Sequence, residues 1–211
     1  MSREPYQITN TAAARITSKV HKEFRHNRLA LFDEMNIVQT KKHIDKLYKK
    51  IFKIIKKEFL EVANSIYEEV ADEAIEMGFD GDLGDLDESW IEDFFEEYSA
   101  VSKYVFTNEL DRKKSRLFEA LVANLEKRLE SYESSEKQII KQIKQSGIEF
   151  EDKIAQKTYE DLGVEKVQWV AEQDDKTCGV CNELDGEIFN LDDVPPKQHL
   201  NCRCYLIPVR E

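Results

Sequence analysis

Between Thr40 and Met77 the apolar residues Ile44, Leu47, Tyr48, Ile51, Ile54, Ile55, Phe59, Val62, Ala63, Ile66, Tyr67, Val70 and Ala74 return at spacings of three and four, with no glycine or proline between them. That spacing predicts one long helix with a single apolar face. Such a face needs other helices to cover it. At about 100° per residue, Lys42, Lys46, Lys49, Lys50, Lys53, Lys56 and Lys57 fall on the opposite side, so the helix is basic where it is not apolar.

The rest of the chain agrees with a mainly α fold. Seven glycines and four prolines are few for 211 residues, and 41% apolar content is enough for a real core. The acidic, glycine-rich stretch at 78–89 breaks the first helix. Ile91, Phe94, Phe95, Tyr98, Val101 and Val105 then make a second stripe. Leu117, Leu121, Leu125, Leu129 and Tyr132 make a third, continuing toward Ile139, Ile140 and Ile143 with its weakest point at Glu133 to Lys137. Residues 1–163 therefore read as a bundle or hairpin of long amphipathic helices.

At Leu162-Gly163 the pattern changes, glycine being the usual residue just past a helix end. VEKVQWV, GEIFNL and CYLIPV each read as a short strand, so residues 164–211 are expected to form a small α+β module. All four cysteines lie there, as Cys178-x2-Cys181 followed by His199-x2-Cys202-x-Cys204. Thiolates and an imidazole at this spacing suit a structural Zn2+ ion, one per chain, and a module poor in apolar mass gains most from such a staple. Five candidate ligands compete for four positions. The set expected is Cys178, Cys181, His199 and one of Cys202 or Cys204; alternatively both of that pair bind and His199 stands behind them. Two disulfides would need oxidising surroundings, and thioredoxin-like chemistry would need a βαβ context that the sequence lacks.

Trp169, Asp174 or Asp175, Thr177-Cys178-x2-Cys181, Leu184-Asp185-Gly186, Phe189, Pro195-Pro196, His199 and Cys202-Arg203-Cys204 together resemble the carboxy-terminal signature of the phage head-morphogenesis, or minor head protein, family. The resemblance covers about residues 164–211. It departs from the family pattern at Leu200, where members commonly carry proline, and in the DKIAQKTYEDLG segment before the Trp strand. It implies a non-enzymatic minor head protein that associates with the portal or the major capsid protein during assembly in the host cytoplasm. Such a protein is either released or retained in the virion, in the head interior or at the portal vertex.

The residues themselves allow a competing class. His199, Asn201 and Asp185 beside a zinc knuckle loosely match the make-up of a metal-finger (HNH-like) nuclease acting on packaged DNA. A histidine that binds zinc cannot also act as base, and the module holds no second one. Asp185-Gly186 is better explained as a turn, Trp169 as core, and Arg203 as neutralising the thiolates, bonding a carboxylate such as Asp174, or simply solvated.

Charge divides sharply along the chain. Residues 1–60 carry 14 Lys/Arg against 6 Asp/Glu, whereas 61–100 carry 15 Asp/Glu and no Lys or Arg. The lysine face is thus a candidate surface for an anionic partner, with any DNA contact weak because the acidic block is adjacent. The acidic turn at Asp80 to Glu88 does not match a calcium loop, since Gly84 and Ile91 occupy ligand places. No membrane association is expected: there is no run of 18 apolar residues and no signal-like amino terminus.

Overall fold

A computed structural model describes residues 5–33, 37–81, 83–84, 86–96, 106–123, 127–175, 177–197 and 199–210. Among the described residues five helices precede the cysteine-bearing segment: α1 (Gln7–Asp33), α2 (Ile37–Glu76), α3 (Glu88–Glu96), α4 (Phe106–Ala123) and α5 (Arg128–Asp161). They are followed by β1 (Lys166–Val170), α6 (Gly179–Leu184), β2 (Ile188–Asn190), a 3-10 turn (Leu191–Asp193) and β3 (Tyr205–Val209). The architecture is mainly helical, with a small antiparallel sheet of order β2-β1-β3 at its carboxy-terminal end.

The long stripe forms α2, and its apolar face is the centre of the core. Ile44, Leu47, Ile51, Ile55 and Phe59 are fully buried against Ile16, Val20 and Phe24 of α1 and Ile139, Ile143, Phe150 and Ile154 of α5. The Phe59 ring stacks on Phe150 at 4.9 Å, and Phe94 of α3 meets the same ring edge-on at 5.0 Å, so the short α3 closes one side of the α2–α5 pair. Asp87 starts α3 by accepting the Ser89 backbone N–H at 2.8 Å. That bond holds its carboxyl below the ordinary range.

Two expectations need correction. The third stripe is not one helix, because α4 ends at Ala123 and α5 starts at Arg128. Leu125 lies outside the described residues, as do Tyr98, Val101 and Val105 of the second stripe, and Leu129 is 37% exposed rather than core. The polar stretch Glu133 to Lys137, expected to be weak, runs unbroken through α5. There Ser135 is buried and shares a hydrogen bond of 2.7 Å with Tyr48, so the serine serves a cross-helix contact rather than a bend.

Gly147 explains how α1 and α5 come so close. A Cβ at this position would lie 2.6 Å from Cγ2 of the buried Thr9, well inside van der Waals contact. α5 itself stops at Gly163, whose φ of 66° an L side chain adopts only with strain. The Gly163 N–H reaches Glu160 O and the Val164 N–H reaches Tyr159 O, closing the helix end with a left-handed cap.

A buried carboxylate held by two exposed cations escaped the sequence reading. Glu58 of α2 is sealed in the core side of the helix, where it accepts Arg15 Nε at 2.9 Å and bonds Lys19, both on α1. Burial disfavours its charge, but the bonds and charges of Lys19 and Arg15 outweigh that and leave the carboxyl below its ordinary range. A lowered folded pKa means stability that is fully present above the unfolded carboxyl value and lost as pH falls from there through the folded one. Glu58→Gln is therefore expected to lower stability by about 1–2 kcal/mol at neutral pH, and by less at about pH 3. Urea unfolding at the two pH values checks this, and an equal loss at both would contradict it.

Candidate metal centre

The sheet positions the cysteines in two pieces. β1 pairs antiparallel with both neighbours, Val167 opposite Phe189 of β2 and Pro208 of β3. Along β1, Val167 joins the helical core while Trp169, two residues on, joins a second small core of Ala171, Cys181, Cys202 and Cys204. The thiols are the centre of that second core rather than an attachment to it.

The first piece is the C-x2-C turn, which folds as the amino-terminal end of α6. Cys178 caps that helix, its Sγ accepting the Cys181 N–H at 3.4 Å. The second piece is the 199–204 segment. Asn201 takes a left-handed backbone, φ 56°, and the Cys202 N–H turns back to His199 O at 3.3 Å. The chain thereby aims His199 and Cys202 at Cys181.

Cys181 is common to two groups of donor atoms that converge within 4.8 Å of one another: Cys178, Cys181 and His199, and Cys181, Cys202 and Cys204. Cys181 Sγ lies 3.5 Å from His199 Nε2 and 3.6 Å from Cys202 Sγ. A tetrahedral site with Zn–S near 2.3 Å and Zn–N near 2.0 Å has edges of about 3.5 to 3.8 Å, so these separations fit one. His199 Nδ1 is 3.1 Å from Leu200 O. That contact fixes the proton on Nδ1 and leaves the Nε2 lone pair toward the sulfurs, the tautomer a ligand requires. These groups could hold a metal ion.

The thiols do not share charge equally. A hydrogen bond from the Cys204 thiol pulls Cys202 down to about 5, against the opposing effect of burial. Burial pushes Cys181 up to about 12, and the bond to Cys202 together with burial raises Cys204 as well. Cys178 is lowered, chiefly by the Cys181 backbone N–H. The surroundings thus ease ionisation at Cys202 and Cys178, and a bound dication would ease it at the neighbouring thiols.

The remaining sequence candidates have structural places. Asp185 accepts Ala171 N–H at 2.8 Å and Gln173 Nε2 at 2.7 Å, tying the α6 turn to the end of β1. Gly186, φ 82°, returns its N–H to Trp169 O. Arg203 reaches Asp174 at 2.6 Å, one of the alternatives expected for it. The lysine face is exposed along α2 at Lys42, Lys46, Lys49, Lys50, Lys53 and Lys57, with Lys56 half-buried.

Sequence reasoning missed the joint between module and bundle. Tyr6 OH sits 2.7 Å from Cys204 O and 2.6 Å from Asp152 Oδ1, and Lys197 donates to it at 2.8 Å. Lys197 also lies over the Tyr6 and Trp169 rings at 5.3 and 5.6 Å. Gln145 of α5 accepts the Asn201 N–H at 2.5 Å, holding the 199–204 turn from behind. None of these residues belongs to a spaced motif, so no local signal marked them.

Residues 114–207 match the family model described as Phage Mu protein F like protein. The matched region is similar to this family, which supports a relation to phage head morphogenesis. It begins within α4, takes in all of α5 and both converging cysteine pieces, and ends inside β3. The matched region is therefore wider than the cysteine module: it includes the helix that supports the 199–204 turn. No curated protein and no solved structure matched the chain.

Proposed function

We infer that the chain is a non-enzymatic minor head protein that acts in phage head morphogenesis by docking on the portal or the capsid shell. The observation that carries this reading is the Mu F-like match, which covers the bundle helix α5 and the cysteine module as one unit. In this reading the protein works in the host during head assembly and travels with the portal vertex or head interior. The metal is Zn2+, one per chain, and its contribution is to join α6 to the 199–204 turn. Cys178, Cys181, His199 and Cys202 are the favoured ligands, since Cys202 is the member of its pair with the depressed thiol and the 3.6 Å approach to Cys181. Cys204 then stands behind them and passes its carbonyl to Tyr6.

Both ring nitrogens of His199 are engaged, one toward Cys181 and one at Leu200 O, which counts against its use as a nuclease base. Among the described residues no helix is long and apolar enough to cross a membrane. The test is co-expression with the portal and major capsid proteins of the same phage, followed by affinity capture on this chain. Retention of either at physiological salt is the expected result. Failure to retain both, together with metal-dependent DNA cleavage that His199→Ala abolishes without unfolding, would replace this reading by the nuclease.

A further inference from the structure

The outer face of α2 changes sign at its midpoint. From Ile37 to Leu60 the helix carries eight lysines against Asp45 and Glu58, and from Glu61 to Glu76 it carries six acids and no Lys or Arg. This is the reverse of what the helix dipole favours, so isolated helix stability does not account for it. Phe59, at the boundary, points into the core.

At about 100° per residue, the charged residues along the direction opposite Phe59 are Lys46, Lys50, Lys57, Glu61, Glu68 and Asp72, all of them exposed. Lys57 and Glu61 lie equally far from Phe59 along the helix, as do Lys50 and Glu68, and Lys46 and Asp72. Each equidistant pair is one lysine and one acid. A twofold axis through the Phe59 level, laying a second copy of α2 antiparallel on this face, therefore places each lysine against an acid of the other copy and each acid against a lysine. Among the described residues Lys46, Glu68 and Asp72 have no ion pair within the chain, while Lys57 pairs only with Glu61, at 3.5 Å, and Lys50 with Glu23, at 2.9 Å. A 40-residue helix presents this face over about 60 Å.

We propose that the protein self-associates as an antiparallel, twofold dimer through the outer face of α2, centred at the level of Phe59. The face is polar and solvated, so the association is electrostatic and sensitive to salt. It is a property of the helical part of the chain and does not rest on the role of the cysteine module.

Sedimentation equilibrium on the full chain tests it. At about 50 mM salt the wild type is expected at twice the mass of one chain, and at about 500 mM salt as a monomer. Lys46→Glu with Lys57→Glu leaves Lys50 as the one cation among these six positions, and Glu61→Lys with Asp72→Lys leaves Glu68 as the one anion, so that two of the three facing pairs become like-charged; each variant alone is expected to be monomeric at low salt. Mixed together they should form a heterodimer, and the chain carrying all four changes should recover the homodimer. Circular dichroism of each variant separates a lost interface from a lost fold. Wild type that stays monomeric at low salt and about 100 µM, far above the range where steered complexes form, overturns the proposal. So does a dimer that survives in either charge-reversed variant, or a monomer that binds duplex DNA through the lysines.

Discussion

Cys181→Ser is expected to strip the protein of its metal and unfold the carboxy-terminal module while the helical bundle remains folded. Cys181 is the one residue common to both converging donor groups, and it is almost fully buried in the small core with Trp169. Serine cannot supply a soft thiolate, and in that position it would place a hydroxyl among sulfur and ring atoms. Elemental analysis should find about one zinc per chain in the wild type and less than about a tenth of that in the variant. Limited proteolysis should open new sites between 171 and 204, and Trp169 emission should move to longer wavelength as its ring meets water. The bundle core lies in a separate cluster, so helical circular dichroism should change little. A wild type that is fully folded without metal, or a variant that keeps its zinc, would remove the metal from the account of this module.

Gly147→Leu should be the most damaging change in the helical part. The substituted Cβ would meet the Thr9 methyl at 2.6 Å, and Thr9 is held in place because its hydroxyl bonds Glu151 on the same helix α5. Neither helix can relax without parting, and Glu151 also accepts the Tyr6 N–H at 2.7 Å, so separation there disturbs the Tyr6 joint as well. The cost is about 3 kcal/mol or more, and a fall of roughly 10 °C in Tm is expected for a chain of this size. Gly147→Ala decides between two opposed effects. Alanine gains up to about 1 kcal/mol of helix propensity, and the clash should exceed it. Adding Thr9→Ser, which removes only the methyl, should restore the loss. Stabilisation by Gly147→Ala alone would show that α1 sits farther from α5 than described.

Much of this was legible in the sequence for a physical reason. The apolar period of α2, the glycine at 163 and the β-branched and aromatic runs around Val167 and Tyr205 are local signals, and each produced the element it indicated. The cysteine and histidine spacing also named the residues that converge, because ligand chemistry restricts the residue types. Helix ends were less legible: leucines at a spacing of four run from Leu117 to Leu129 across the break between α4 and α5, and periodicity cannot show where the chain reverses. Glu58, Gly147, Tyr6, Gln145 and Lys197 were not legible at all. Their roles depend on a partner more than forty residues away, which no window along the chain contains.

The Tyr6 joint has a kinetic side. Tyr6 and Cys204 are 198 residues apart, so the contact closes almost the whole chain into a ring. Segments emerge from the ribosome in order, and the bundle helices can pack before this partner exists. Contacts of such separation form late. Tyr6 therefore waits, with Asp152 beside it, for a carbonyl that arrives only with the 199–204 turn. Locking of the helix that begins at Gln7 therefore follows synthesis of the 199–204 turn, and a chain interrupted before residue 204 would lack both.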